Sequence, residues 1–391
     1  MNPADPRCLV RVVTNEEVTS ALAANGQYYR YVFGVLRSIK AIVDQYLAAG
    51  FPESDVFGTT LWHELDGPTQ ATVLTLWQKY RDVPIPAEDD KCWKQFDVTP
   101  DKIVELTGID QRFWVKPGVA TSNLAAQAAE QALQVSGLNR QRVDFVIVAT
   151  TTPDHPQTPG TANRTAWKLG IRTSSVWCFD VSSACTSFVS ALGVGYSLIR
   201  SGMFRRGLVI GADVMGEPTT SRFNRNVRII LADAARCVVL EACPLAEDAF
   251  HPGQFSYGSD NSLGDLIVTP AGGSALEITP IMLVDPFDQR HRMQMDGPEV
   301  RKRAQRLLLT IRRGENDEQV VTGAIADAVR RAGVDYAGID VALFHQANKR
   351  IIDPVVDSMV RLGFRGLVHD NIQWYGNTTS ASIGLCLDEA W

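Results

Sequence analysis

No run of about 18 or more apolar residues occurs in the 391-residue chain, so no segment reads as a membrane-spanning helix and no membrane association is expected. The opening Met-Asn-Pro-Ala-Asp-Pro-Arg lacks the basic-then-apolar order of a secretory leader, and the expected location is cytoplasmic. Lys and Arg form no block of the kind that tracks a phosphate backbone. The net charge of −6 is mild and spread out, which argues against a nucleic-acid partner. The seven cysteines, at 8, 92, 178, 185, 237, 243 and 386, include no Cys-x-x-Cys pair, and their number is odd, so neither a disulfide framework nor a zinc site is expected. The six histidines lack metal-binding spacing as well, and Trp62-His63-Glu64 is only a superficial likeness to it. No metal is expected. What remains is an ordinary globular composition, 45% hydrophobic and 21% charged, large enough for two merged domains or one large duplicated one.

Two segments match each other without a gap, Ala132 to Ala149 and Ala328 to His345. In each, a helix with apolar and Ala positions at three-and-four spacing stops at a glycine, Gly137 or Gly333. A short loop then leads into a continuously apolar, β-branched run. The match reads as an internal duplication, although short helix-strand units can also coincide by chance. Both strands are expected to be buried, since neither alternates with polar residues. Further strands are expected over 175–181, 206–212 and 235–240, with a small-residue helix over 186–200. The alternation argues an α/β fold.

Cys185 follows an apolar strand and opens that helix. A thiol at a helix N-terminus feels the positive end of the macrodipole, which favours the thiolate, and its own backbone N–H can donate to an oxyanion. Judged alone, a buried cysteine in a strand-to-helix turn is the commoner reading. His345 ends the second repeated strand in Phe-His-Gln-Ala-Asn, and Asn377 lies in Tyr-Gly-Asn-Thr-Thr, a loop entering a small-residue helix. A cysteine with a distant histidine and asparagine is the general pattern of a thiol nucleophile with its partners. A capped core histidine and an asparagine in a turn are the plain alternatives.

From Asp97 onward the chain resembles the β-ketoacyl synthase III family of the thiolase superfamily. The resemblance rests on Leu106-Thr-Gly-Ile-Asp-Gln-Arg112, Val148-Ala-Thr-Thr151, Phe179-Asp-Val-Ser-Ser-Ala-Cys185, Gly211-Ala-Asp213, His345-Gln-Ala-Asn348 and Gly376-Asn377-Thr378, in the family's order. It implies a thiolase-like, internally duplicated α/β/α/β/α arrangement of five layers, and a homodimer. It also implies that Cys185 takes an acyl group from a thioester, with acyl carrier protein or acyl-CoA thioesters as partners. A malonyl-type thioester would then lose carbon dioxide while His345 and Asn377 hold the enolate oxygen, without a cofactor. Four further residues are implied to bind substrate: Thr158, where a bulky residue often limits the acyl pocket, Arg350 and Asn348 near the entrance, and Gly297. An acyltransferase forming an ester or amide on the same fold, and a non-catalytic partner subunit, are the competing readings.

The chain departs from the family in four places. A Trp and an Arg that clamp the adenine of coenzyme A are replaced by Lys102 and Leu106, which disfavours an acetyl-CoA primer. A Gly-Asp-Gly-Ala-Gly segment reads Ala232-Asp-Ala-Ala-Arg236, so local backbone packing is expected to differ. An insertion before Asp97 carries helical apolar spacing over Tyr28 to Ala48 (Val32, Leu36, Ile39, Val43) and over Gln70 to Tyr80. It reads as a cap over the acyl entrance, an interface, or inert decoration. Relatives also continue beyond the position of Trp391 into two more core strands and a glycine-rich loop, which implies truncation there. The expected organisation is a divergent segment over 1–96, a half bearing the nucleophile over 97–255, and a half bearing His345 and Asn377 over 256–391.

Overall fold

A computed structural model describes residues 8–391 except 51, 54–56, 58, 173, 217–219, 221–223 and 244–254. The leader reading of the first seven residues therefore lies outside the described residues.

Strand β1 (Val10–Thr14) runs directly into helix α1 (Asn15–Ala48). Thr14 caps this helix reciprocally with Glu17, so it begins at Asn15, well before the expected Tyr28. Val32, Phe33, Leu36, Ile39 and Val43 make its buried stripe. Near its middle, Gly26 admits Phe96, and a Cβ there would lie 2.9 Å from the Phe96 Cβ. Helix α2 (Gly67–Tyr80) folds back on α1, and a 3-10 turn over Lys91–Phe96 closes the group. Phe33 meets Tyr80, Trp93 and Phe287 edge-on, with ring centroids 5.2, 5.7 and 5.4 Å away. Phe287 comes from the opposite end of the sequence. Ile281 and Val284 pack beside it, so the insertion shares one core with residues 280–287. Asp285, fully buried, accepts from Lys79 Nζ at 2.6 Å and from the Tyr80 hydroxyl at 3.1 Å.

Helix α3 (Pro100–Thr107) leads into β2 (Gln111–Val115), which pairs antiparallel with β1, Val12 facing Phe113. Helix α4 (Thr121–Ser136), β3 (Phe145–Ala149), α5 (Thr161–Lys168), β4 (Trp177–Val181), α6 (Ser187–Arg200), β5 (Arg206–Asp213) and β6 (Ala234–Glu241) follow. The sheet runs β4-β3-β5-β6, parallel except for β6. Side chains of β3 alternate between its faces. Val146 and Val148 pack against α4 and α5, while Phe145, Ile147 and Ala149 meet Phe188 and Ala191 of α6.

The second half carries α7 (Gly297–Leu308), α8 (Ala324–Ala332), β7 (Val341–Leu343), α9 (Lys349–Arg361), β8 (Leu367–His369) and α10 (Ser382–Ala390). The repeat seen in the sequence recurs element by element. Helix α4 ends at Gly137 with φ 68° and α8 at Gly333 with φ 68°, each followed by a 3-10 turn and a strand. Helices α6 and α10 lie between the two sheets, and α8 and α9 cover the far face of the β7–β8 pair. The order is thus α4/α5, main sheet, α6/α10, β7/β8, α8/α9, five layers as expected. One expectation fails. β3 is buried throughout, but in its counterpart Val341 is 45% exposed. Among the described residues β7 pairs only with β8, which leaves it far less covered than a central strand.

Candidate active site

Between β4 and α6 the chain turns so sharply that Ala184 takes a left-handed φ of 51°, a costly state for a residue with a side chain. Ser187 secures the turn by accepting the Ser183 amide at 2.8 Å and donating its hydroxyl to the Ala184 carbonyl at 2.6 Å. Cys185 sits at this elbow, partly accessible at its surface but densely packed around the sulfur. Burial pushes its thiol up to about 11, and nearby Asp213 pushes the same way. This corrects the expectation of a dipole-favoured thiolate. The helix starts two residues later, at Ser187. The Thr186 and Ser187 amides bond back to the Ser183 and Ala184 carbonyls rather than being free to serve the sulfur.

His345 follows β7. Among the described residues neither of its buried ring nitrogens has a hydrogen-bond partner. Burial pushes this imidazole down to about 4, only partly offset by Asp213, so at neutral pH it is uncharged and keeps one N–H to donate.

Asn377 is buried. Its backbone pairs with the stretch before β6, its N–H donating to the Ile230 carbonyl at 3.0 Å and its carbonyl accepting the Ala232 N–H at 2.9 Å. Its Oδ1 accepts the Thr379 N–H at 2.9 Å, which fixes Nδ2 as the outward-facing end, and Nδ2 makes only a long 3.4 Å contact with the Ala347 carbonyl. Gly376 beside it has φ 71°, and a Cβ there would meet Ala232 and Arg112 at 3.2 Å.

Contacts around the 377–382 loop link the segments that carry these three residues. Asp213, at the end of β5, accepts the Ser380 N–H at 2.9 Å and the Thr379 hydroxyl. The Ser380 carbonyl and Phe188 both press on Gly211, and the Ser382 hydroxyl accepts the Gln346 N–H at 2.7 Å. The charge of Asp213 acts on both Cys185 and His345. Asp213 entered the sequence reading only as part of a motif. A carboxylate closing the apolar run Gly207 to Ala212 was the signal available for it.

The other expected residues lie apart from this cluster or are engaged elsewhere. Asn348 caps α9, accepting the Arg350 N–H at 2.8 Å and donating to the Leu106 carbonyl at 3.2 Å. Arg350 is exposed and donates Nε–H to the Glu105 carbonyl at 2.9 Å. Thr158 is exposed in the loop after β3, whose Asp154 accepts both the amide and the hydroxyl of Ser122. Gly297 opens α7 behind its cap Asp296, where a Cβ would meet only Met295 at 3.9 Å. Lys102 pairs with Glu105 at 2.6 Å, and Leu106 is partly exposed. A cleft of about 480 Å³ lies between α1 and α3, lined by Phe96, Asp97 and Lys102 among others, and does not include Cys185. No group of three or more His, Cys, Asp and Glu side chains among the described residues is placed to hold a metal ion.

The packing of Ala232 to Arg236 is accommodated within the chain. Ala232 faces Gly376, and Arg236 faces Gly384. Between them Asp233 accepts the Val115, Met215 and Gly216 amides at 2.7, 2.5 and 2.6 Å, while burial pushes its carboxyl up to about 7.

Comparison with known proteins finds relatives over about three-quarters of the chain. Residues 179–261 match the family described as 3-oxoacyl-[acyl-carrier-protein (ACP)] synthase III, and residues 329–391 match its C-terminal region. A β-ketoacyl-(acyl-carrier-protein) synthase III of Streptomyces coelicolor is 38% identical over 300 residues, 76% of this chain and 82% of the relative. The enzyme of that name from Rhodopirellula baltica is 34% identical over 308 residues, 74% of this chain and 82% of its own length. Among solved structures, the Pseudomonas aeruginosa synthase III superposes with a TM-score of 0.61 at 30% identity, covering 78% of this chain and 84% of that one. A priming β-ketosynthase of a polyketide pathway gives 0.60 at 25% identity, covering 75% and 80%.

Proposed function

Because the chain belongs to the β-ketoacyl synthase III family, a condensing enzyme of fatty-acid or polyketide metabolism, we propose that Cys185, His345 and Asn377 carry its reaction. The Cys185 thiol gives up its proton and the sulfur attacks the carbonyl of an acyl thioester. The carrier leaves as a thiol with that proton, and the acyl group stays on Sγ. A malonyl-type thioester then binds. Its carboxylate departs as carbon dioxide, and the electron pair of the broken bond moves into the thioester carbonyl as an enolate. The imidazole N–H of His345 and the Nδ2 of Asn377 donate to that oxygen. The enolate carbon attacks the acyl carbonyl on Cys185, a carbon-carbon bond forms, and Cys185 leaves and regains a proton.

One observation carries this reading. Two buried donors, an imidazole with no hydrogen-bond partner among the described residues and an amide whose Oδ1 is held by the Thr379 N–H, are linked through Asp213 to a thiol at a strained elbow. Donors already in place when charge develops cost no reorganisation. The relatives are named for the acyl carrier protein, and carrier-borne thioesters are the proposed substrates. Lys102 and Leu106 offer no flat clamp for an adenine. Arg301, Lys302, Arg303 and Arg306 lie on α7, which packs on α9 beside Arg350 and forms a basic surface in a chain of net charge −6. Such a surface suits an anionic carrier. We place the enzyme in the cytoplasm as a homodimer joined at β4, an open sheet edge whose Trp177 is 47% exposed. The insertion serves as a brace for residues 280–287 rather than as free decoration.

Intact-mass measurement after incubation with acyl-carrier thioesters tests the reading. Wild type gains one acyl group and Cys185→Ala gains none. An adduct that persists in Cys185→Ala would remove Cys185 from its role. Carbon dioxide release from a malonyl thioester then separates condensation from simple acyl transfer.

A further inference from the structure

Asp213 is fully buried at the end of β5, and among the described residues it forms no ion pair. Seven hydrogen bonds reach it instead. Oδ1 accepts from the hydroxyls of Thr150, Thr151 and Thr152 at 3.0 Å each, and from the amides of Thr151 and Thr152 at 2.7 and 3.1 Å. Oδ2 accepts the Ser380 N–H at 2.9 Å and the Thr379 hydroxyl. Neutral donors alone thus satisfy this buried carboxyl group, and they come from two segments, the end of β3 and the loop after Asn377. The second segment is under strain. Thr379 is β-branched yet has φ 46°, and it is this residue whose N–H donates to Asn377 Oδ1.

We infer that Asp213 is a positioning residue for condensation: through Thr379 and the Ser380 amide it holds the 378–380 turn that turns the Asn377 amide toward the enolate. This rests on the condensing role proposed for Asn377. A neutral residue would not serve equally. An asparagine offers a single side-chain acceptor oxygen, and seven donors converge here. The carboxylate charge also reaches the thiol and the imidazole, raising the proton affinity of both, and it reaches the carboxyl of Asp233. A mere staple between β3 and β5 would act on folding alone. A positioning residue acts on one half-reaction more than the other, because Asn377 takes part only after the acyl group is on Cys185.

Thr379→Val keeps the shape and removes one bond to Asp213, while Thr379→Ser restores the hydroxyl. With an acyl-carrier thioester loading Cys185 and a malonyl-carrier thioester as the extender, and wild type confirmed to form an acyl adduct on Cys185, Thr379→Val should form that adduct at close to the wild-type rate. Its kcat for carbon dioxide release should fall by roughly ten- to a hundredfold with little change in KM, and Thr379→Ser should recover most of the loss. Asp213→Asn, where it folds, should also shift the pH of half-maximal Cys185 alkylation by iodoacetamide downward. The inference is overturned if Thr379→Val releases carbon dioxide like wild type, if both half-reactions fall together, or if a folded Asp213→Asn leaves the alkylation midpoint in place. A wild type that forms no adduct at all would instead overturn the condensing reading, and the inference with it.

Discussion

Gly384 of α10 faces Arg236 of β6 so closely that a Cβ on the glycine would lie 2.9 Å from the arginine Cβ. The contact is between a helix and a strand, so neither Cβ can swing away. Arg236 then extends to pair with Asp388 one turn along the same helix. Gly384→Ala should destabilise the protein by about 1–3 kcal/mol, measured as a lower urea midpoint, and Arg236→Gly in the same chain should recover part of that loss. A Gly384→Ala midpoint equal to wild type would show that helix and strand have room to separate.

Cys185 should react as a thiol with a raised pKa. Its alkylation rate by iodoacetamide is expected to climb with pH, about tenfold per unit, until a plateau near 11, the value to which burial pushes the group. A plateau near neutrality would mean that the helix terminus outweighs burial. Mass spectrometry of the Cys185 peptide reads this directly, which matters because six other cysteines are present.

Asn377→Asp keeps the size of the side chain and an oxygen to accept from Thr379, but it replaces the amide donor with a carboxylate. Carbon dioxide release should fall by about 10²–10³-fold, while acyl loading of Cys185 changes far less. Equal loss in both steps would argue that Asn377 supports the fold and not the enolate.

His345 is uncharged over the working range because burial holds its pKa near 4. Its protonation should therefore cause no fall in carbon dioxide release between about pH 8 and pH 5, and the limb it causes should appear only near pH 4. A limb near pH 6.5 that disappears in His345→Gln would contradict the burial argument.

Asp285 has no exposed surface, while its partner Lys79 keeps about a third of its own. Asp285→Asn should cost about 2 kcal/mol, less than a fully buried pair because the lysine can still reach water. Limited proteolysis should find the cut rate rising within α1 and α2, since the lost contact ties α2 to residues 280–287.

The three side chains proposed to carry the reaction stand out in the sequence because each sits at a punctuated place: a strand end before a helix for Cys185, a strand end for His345, and a Gly-Asn loop for Asn377. The partnership of Asp213 was not, since its donors lie about 61–63 positions before it and 166–167 after it. Nothing local fixes such a meeting. The environment of the thiol is hidden for a related reason: the dipole of α6 is readable in sequence, but the burial that opposes it is tertiary. The second repeated strand was read as buried from its apolar run, yet composition does not say how many neighbours a strand has. Helix α1 begins earlier than the apolar spacing implies because its start is set by the Thr14–Glu17 capping box, well ahead of the stripe from Val32 to Val43.

The insertion core joins residues that are made far apart in time. Lys79 meets Asp285 206 positions later in the chain, and Phe33 waits still longer for Phe287. As the chain leaves the ribosome, α1 and α2 can cover one another, but the face that receives Ile281, Val284 and Phe287 stays bare until most of the protein has been translated. Domains are synthesised at about 5–20 residues per second, so that apolar face is open for tens of seconds. The opening third of this protein therefore finishes its core only after residues 280–287 have been made, so the order of synthesis and the order of burial differ here.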